Sequence, residues 1–163
     1  MVSIRPAKAG DAPLLVAMIR ELAEYEHLSQ EVIVTEEDLL RDGFGDSRQF
    51  RAVIAECDGQ MAGYAVYFEF YSTFQGRAGL FLEDIFVRPE FRRQNIGKAL
   101  LAHVAGIARK EGYVRMRWEV LDWNTAAIDF YKKLGAAFMD EWKPVCLSGD
   151  ALEAAAKEAE TGN

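Results

Sequence analysis

Apolar residues form five short segments, either unbroken or alternating with polar residues, and this pattern predicts five β-strands. The turn pair Asp58-Gly59 separates the second segment from the third, and Asp-Gly between apolar segments is typical of a two-residue hairpin. The polar, glycine-containing stretch 72–79 predicts a second hairpin after it. The predicted strands comprise residues 2–5, 50–57, 60–70, 80–87 and 114–120.

The intervening segments carry apolar residues at helical spacing. Asp11 followed by Pro13 predicts the start of the first helix, which we expect to end near His27. Thr35, three residues before Asp38, predicts a capping box at the start of the second helix. The predicted helices cover approximately residues 11–27, 35–43, 96–112, 124–135 and 151–160.

This order of elements predicts an α/β domain with a mixed sheet. The strand at 114–120 follows a helix, so we expect it to lie parallel to the strand at 80–87 through a right-handed crossover. Residues 137–148 are expected to add one or two further strands. The expectation is therefore a sheet of about six to seven strands flanked by about four helices, in a single domain over residues 1–148 with a helical or frayed tail at 149–163.

Composition narrows the range of partners. The formal net charge of −7 argues against nucleic acid, whose phosphates need clustered Lys and Arg. An acidic surface attracts cations, although acidity is also common for solubility alone. No apolar run approaches the roughly 20 residues that cross a bilayer, and no targeting segment is recognisable. Cys57 and Cys146 suggest neither a disulfide framework nor a metal site, which suits the cytoplasm.

The stretch 80–101, LFLEDIFVRPEFRRQNIGKALL, combines the features that chemistry needs. Glu83 and Asp84 lie in the middle of an apolar strand. A turn signal and a short polar loop follow, and then a helix begins near Gly97. Because the first amide groups of a helix have no partner within it, and because the helix dipole favours anions there, this arrangement is suited to holding phosphate.

The loop at 92–97, Arg-Arg-Gln-Asn-Ile-Gly, resembles the R-x-x-G-x-G/A acyl-coenzyme A signature of the GNAT superfamily of N-acetyltransferases. Asn95 stands where the family usually has its first glycine, and Asn readily adopts a left-handed conformation. Residues 82–84, 123–124 and 129–132 also resemble the spermidine/spermine (diamine) acetyltransferase branch. The resemblance implies a sheet splayed between its fourth and fifth strands where coenzyme A enters, a β-bulge near Glu83, and a homodimer.

An amine must be neutral to attack a thioester. At pH 7 about one alkylamine in 2,500 is neutral, which corresponds to roughly 4.6 kcal/mol. A nearby base lowers that cost. Glu83 is the first candidate, because a carboxylate inside an apolar strand is expected to have a raised pKa. Asp84 lies beside Glu83 if a bulge intervenes, and on the other face if pairing is regular. The resemblance makes Tyr131 the acid for the leaving thiolate.

The resemblance also implies the remaining site residues. Backbone groups of the central strand would contact the pantetheine arm, and the loop and first helical turn would hold the pyrophosphate. Asn124 would contact the pantetheine arm as well as capping its helix. The coenzyme candidates are Ile85, Phe86, Val87, Arg92, Arg93, Gln94, Asn95, Ile96, Gly97, Lys98, Asn124, Ala127 and Tyr131. The substrate candidates are Tyr25, Glu26, Glu83, Asp84, Trp118, Glu119 and Asp140 or Glu141.

These expectations describe an acetyl-coenzyme A-dependent N-acetyltransferase whose acceptor is a small cationic amine, foremost a polyamine or diamine. Neither cysteine lies at a matched catalytic position, which favours direct transfer in a ternary complex over an acyl-enzyme. Two alternatives remain open: an acceptor such as thialysine, another amino acid or a protein amine, or a non-catalytic module that binds acyl-coenzyme A. No metal ligands are expected.

Overall fold

A computed structural model describes residues 1–161, with side chains as far as residue 159. Its contacts group into two units, Met1–Leu121 and the chain from Asp122 onward. The first unit contains β1 (Val2–Pro6), α1 (Ala12–Tyr25), α2 (Glu36–Phe44), β2 (Arg51–Cys57), β3 (Gln60–Ser72), β4 (Arg77–Val87), α3 (Ile96–Lys110) and β5 (Met116–Arg117), and the second contains α4 (Thr125–Lys133) and α5 (Gly149–Thr161).

The sheet is mixed, as predicted. Its strands follow one another in chain order, β1 to β5. The first four are antiparallel neighbours, and β5 lies parallel to β4. That parallel contact pairs Leu80 with Met116 and Phe81 with Arg117, and the ladder extends no further among the described residues. β5 is thus two residues long instead of the predicted seven at 114–120, and the splay between the fourth and fifth strands is confirmed.

The predicted total of six to seven strands is wrong in number, since the described chain has five strands, whereas its five α-helices correspond to the five predicted helical segments. The difference lies at residues 137–148, which form no strand. The Trp142 amide donates to the Met139 carbonyl at 2.9 Å in a turn, and Pro144 has no amide to give to a ladder. Val145 is 93% exposed, so no other part of the described chain covers it.

The two predicted hairpins are both present. Asp58 and Gly59 have φ values of 49° and 79°, and two successive residues with positive φ form the turn that matches the twist of adjoining strands. β3 and β4 are longer than predicted and are joined by a short turn after Ser72. The Ser72 hydroxyl accepts the Gln75 amide at 3.3 Å, and it also accepts Arg115 at 3.1 Å.

Helices cover both faces of the sheet. On one face α1 and α2 bury an apolar cluster that includes Leu15, Met18, Ile54, Tyr64 and Phe86. Because side chains alternate along a strand, the intervening strand residues point to the opposite face, where α3 packs across β1 to β4. The site residues of β4 therefore lie in the wall of a fully formed core, which holds the strand in place.

Local capping explains where the first helices begin. Thr35 and Asp38 form the predicted capping box, with each backbone amide bonded to the other residue's side chain at 3.0 and 3.2 Å. Asp11 precedes α1 as predicted, but its carboxylate makes no capping bond. It accepts hydrogen bonds from the Arg5 guanidinium at 2.8 and 3.0 Å and from the Lys8 amide at 2.7 Å, so it joins α1 to β1.

The second unit contains two helices. In α4 the Asn124 side chain accepts the Ala127 amide at 3.2 Å, so the predicted cap is confirmed. α5 begins at Gly149 and covers the helix predicted at 151–160. The division into a 1–148 domain and a 149–163 tail stays a prediction, and residues 162 and 163 lie outside the described chain. No helix in the part described is both long and apolar enough to span a membrane.

Candidate active site

A β-bulge lies at the two carboxylates of β4. Asp84 pairs with Val66 and Leu82 pairs with Tyr67, so Glu83 is the extra residue without a partner across the ladder. Bulges re-aim side chains and are enriched beside active sites. The bulge that the family resemblance implied is therefore confirmed, and it places Glu83 and Asp84 next to the point where β4 parts from β5.

Asp84 is the desolvated carboxylate of this pair. Its pKa is raised to about 6, chiefly by burial and also by the negative charges of Glu83 and Glu26. The Tyr64 hydroxyl opposes this effect by donating a hydrogen bond to Asp84 Oδ2 at 3.1 Å. Because the ring of Tyr64 is completely buried, that donor is held in a fixed position. Asp84 is thus a carboxylate that can both hold and release a proton near neutral pH.

Glu83 does not have the surroundings that the sequence suggested. Its side chain is exposed, so the expectation of a desolvated Glu83 is wrong. The physical reason is the bulge. Glu83 is the extra residue there, so its side chain does not follow the alternation that would have pointed it into the core. Its role as base stays a prediction. Glu26, at the end of α1, has a pKa raised by burial, and its charge acts on both Asp84 and Tyr64.

The edge of β4 beyond the bulge is open. Ile85, Phe86 and Val87 pair with β3, but β5 reaches only as far as Phe81. Backbone amides and carbonyls on that edge consequently have no partner strand among the described residues. A strand edge of this kind is a template for an amide-containing chain, which is the environment expected for the pantetheine arm.

The loop between β4 and α3 is anchored at its first residue. The Arg88 amide donates to the Ala62 carbonyl at 3.0 Å. Its guanidinium makes two hydrogen bonds to the Glu21 carboxylate, at 2.7 and 2.8 Å, and one to the Met61 carbonyl at 3.1 Å. This bidentate pair joins the loop to α1. Glu21 and Tyr64 could not be recognised as site residues from the sequence, because their partners are 67 and 20 residues away along the chain.

Two residues of the loop have the left-handed backbone conformation. These are Arg93, with φ 63°, and Asn95, with φ 61°. The expectation that Asn95 supplies the conformation usually given by glycine is confirmed. Left-handed residues set among right-handed ones turn successive amides towards one point and form an anion-binding concavity. Asn95 makes no side-chain capping bond to α3, which starts at Ile96, so its side chain leaves the first-turn amides open to an anion.

Gly97, in the first turn of α3, has no steric reason within the protein to be glycine. A Cβ built there meets only Val87 Cγ2, at an ordinary 3.7 Å. We therefore expect Gly97→Ala to leave the free energy of unfolding unchanged or up to about 1 kcal/mol higher, while weakening coenzyme A binding at least tenfold by filling space beside the loop. Thermal unfolding and titration calorimetry measure the two effects.

A matched control lies on the same helix. A Cβ at Gly106 meets nothing within 4 Å, so Gly106→Ala should stabilise similarly and leave coenzyme A affinity as in the wild type. Equal affinity in both variants would show that no ligand approaches Gly97 closely.

The remaining substrate and coenzyme candidates of the first unit differ in how far their side chains are exposed to solvent. Tyr25 ends α1 and is half-buried beneath Arg92, whose guanidinium carbon is 4.7 Å from the ring centroid. Trp118 is half-buried just after β5, and Glu119 is exposed. Exposed side chains in the loop and first turn include Gln94 and Lys98.

In the second unit the buried positions are Asn124 and Tyr131, as expected for residues two turns apart on one helix face. The rings of Tyr131 and Phe130 are 5.4 Å apart. Asp140 and Glu141 are exposed. The chemical roles of these residues stay predictions. Within the described residues, no group of three or more His, Cys, Asp or Glu side chains is placed to hold a metal ion.

Comparisons with known proteins bear on this geometry. Residues 15–136 match the model of the Acetyltransferase (GNAT) family. A thialysine N-epsilon-acetyltransferase of Sus scrofa is 44% identical over 93% of this chain and 95% of its own length. An L-ornithine N5-acetyltransferase of Arabidopsis thaliana is 32% identical over 93% of this chain and 86% of its own. Among solved structures, an integron cassette protein from the mobile metagenome of V. cholerae has a TM-score of 0.80 at 25% identity, over 96% of this chain and 98% of that one.

Proposed function

This chain belongs to the GNAT acetyltransferase family, and we propose that it transfers the acetyl group of acetyl-coenzyme A to the side-chain amine of a basic amino acid such as thialysine. The observation that carries the proposal is Asp84, a desolvated carboxylate whose pKa is about 6, at a β-bulge beside the open edge of β4. The choice of acceptor is supported by two relatives named for thialysine and ornithine.

The proposed base is Asp84, with Glu83 beside it to attract and orient the ammonium group. An alkylammonium has a pKa near 10.4, so the pKa gap to Asp84 is 10.4 − 6, or about 4.4, which is roughly 6 kcal/mol. An ordinary aspartate at 3.9 would face a gap of about 6.5, or roughly 9 kcal/mol. Desolvation of Asp84 thus removes about 3 kcal/mol from the cost of accepting the proton.

The coenzyme would be held mainly by backbone groups. The left-handed loop at Arg93–Asn95 and the first amides of α3 fit a diphosphate, and Arg93 and Lys98 add positive charge. The open edge at Ile85–Val87 fits the amides of the pantetheine arm. When bound, acetyl-coenzyme A supplies an acetyl thioester, whose carbonyl carbon the amine attacks directly. Tyr131 is the proposed donor of a proton to the departing thiolate.

An acceptor panel tests the proposal. The wild-type protein is incubated with acetyl-coenzyme A, a thiol reagent and each acceptor in turn: thialysine, ornithine, lysine, spermidine, putrescine and a lysine-containing peptide. We expect the largest kcat/KM for a free basic amino acid. A larger kcat/KM for spermidine would give the function to the polyamine alternative, and tight coenzyme A binding without turnover of any acceptor would support a non-catalytic module. A homodimer stays a prediction from the family resemblance, and a cytoplasmic location stays a prediction from the two cysteines.

A further inference from the structure

Arg92 opens the loop motif that was assigned to the coenzyme, yet its guanidinium lies over the face of β4 that packs against α1, beside the substrate candidate Tyr25. The guanidinium carbon is 4.7 Å from the ring centroid of Tyr25 and 5.9 Å from that of Phe86. The Nε atom donates to the Val87 carbonyl at 3.0 Å. Both rings belong to the wall formed by α1 and β4, so the charge of Arg92 is fixed above that wall.

The stacking leaves the terminal nitrogens of Arg92 available. Two rings lie within cation–π distance of the guanidinium, and Nε is engaged with Val87. Nη1 and Nη2 make no hydrogen bond to any residue in the described chain. The N–H groups of a guanidinium can form two parallel hydrogen bonds to the two oxygens of a carboxylate. Arg92 is therefore presented to solvent as a preorganised carboxylate receptor.

The spacing of Asp84 and Phe86 along β4 suits one class of acceptor. Asp84 and Phe86 are two residues apart on the regular part of β4, so they share a face and their Cα atoms are about 6.8 Å apart. The guanidinium above Phe86 thus lies over the same face of β4 as the Asp84 carboxylate, two residues further along the strand. Five or six single bonds of about 1.5 Å each, in an extended chain, separate a side-chain amine from its α-carboxylate by roughly 6 to 8 Å.

We propose that Arg92 binds the α-carboxylate of the acceptor while Asp84 receives its side-chain amine, so that Arg92 selects basic amino acids over diamines and polyamines. This inference rests on the proposed function. The diamine that lacks only the carboxyl group keeps both nitrogens of the amino acid but offers Arg92 no anion to bind. Its second ammonium, near the positive charge of Arg92, then has no carboxylate beside it to offset the repulsion, whereas the shared amine end is recognised equally in both.

Matched acceptor pairs isolate the carboxylate. Thialysine is compared with the diamine that lacks its carboxyl group, and ornithine is compared with putrescine, using wild-type protein and Arg92→Gln. Hydrogen bonds to charged groups contribute enough that Arg92→Gln should lower kcat/KM for each amino acid about 10- to 100-fold. The kcat/KM for each diamine should stay the same or rise, and KM for acetyl-coenzyme A should stay within about twofold of the wild-type value. Arg92→Lys should keep part of the preference, because it retains the charge without the fork.

Two further variants keep the result interpretable. Arg109→Gln removes an exposed charge in the last turn of α3 and should change none of these values. Arg20→Gln tests the rival cation, which lines a depression of about 280 Å³ together with Glu21, Glu24, Ser29 and Val32. Loss of carboxylate preference in Arg20→Gln and not in Arg92→Gln would overturn the inference.

Three other outcomes would also overturn it. An equal loss for both members of each pair would mean that Arg92 only tethers the loop to Val87. If Arg92→Gln raised only the KM for acetyl-coenzyme A, Arg92 would be a coenzyme-binding residue and not a receptor for the acceptor. No turnover of any of the four acceptors by the wild type would refute the proposed function, and the inference with it. Thermal unfolding of each variant shows whether a loss comes from a change in folding.

Discussion

An Asp84→Asn variant is expected to lose about 10²- to 10⁴-fold in kcat/KM for its amine acceptor, the range over which general bases contribute. Asparagine keeps the size of the side chain and still accepts the hydrogen bond from Tyr64, but it takes no proton. Steady-state kinetics at pH 7.5 measure the loss. The matched control is Glu83→Gln, at the exposed neighbour. A larger loss there than in Asp84→Asn would make Glu83 the base.

The pH dependence of kcat/KM in the wild type should also show that Asp84 is the base. Only the ionised form of Asp84 accepts a proton, and its pKa is about 6, so kcat/KM should fall as pH drops through about 6. The hydrogen bond from Tyr64 lowers the pKa of Asp84. Removing it with Tyr64→Phe should therefore shift this acid limb to higher pH. An unmoved limb in Tyr64→Phe would mean that another group titrates.

Asp84→Asn should also make the fold more stable near neutral pH. The pKa of Asp84 is about 6 in the folded protein, above the roughly 3.9 of an unfolded aspartate. Its contribution to stability is therefore greatest below about pH 4 and is lost as pH rises through about 6. Asparagine does not ionise, so the variant avoids the loss of stability that accompanies ionisation of Asp84. The melting temperature at pH 7.5 should therefore rise while activity falls. A lower melting temperature would show that the charged form stabilises the fold.

Tyr131→Phe is expected to lower kcat by at least 10²-fold, because it removes the proposed proton donor to the leaving thiolate. The dissociation constant of coenzyme A should change by less than about threefold, since the ring stays in place. Single-turnover kinetics and calorimetry measure the two quantities.

The hairpin residue Tyr71 gives the control for this change. It is 65% exposed, so Tyr71→Phe makes the same chemical substitution at a solvated hydroxyl and should leave kcat unaltered. If kcat in Tyr131→Phe equalled that of Tyr71→Phe, Tyr131 would have no part in proton transfer.

Local signals explain what could be predicted from the sequence. Asp58-Gly59 predicted a hairpin because only a few residue pairs tolerate two positive φ angles. Thr35 and Asp38 predicted a helix start because their hydrogen bonds close within one turn. Asn95 predicted a left-handed loop residue because its side chain permits that conformation. In each case the decisive interaction lies within a few residues of chain.

Features set by distant partners could not be predicted in the same way. Whether Glu83 or Asp84 is buried depends on how β3 and β4 register across the bulge, and alternation alone fits either choice. The hydroxyl of Tyr64 reaches Asp84 only because that register holds. The segment 137–148 has apolar residues suited to a strand, but it pairs with no strand among the described residues, and Val145 within it is 93% exposed.

The position of the acetyl group in the product tests the central claim most directly. Wild-type protein, acetyl-coenzyme A and thialysine are allowed to react, free thiol is counted, and the product is fragmented by mass spectrometry. The expected result is one thiol released per acetylated molecule, with the acetyl group on the side-chain nitrogen. An acetyl group on the α-nitrogen, or thiol release without an acetylated amine, would contradict the claim.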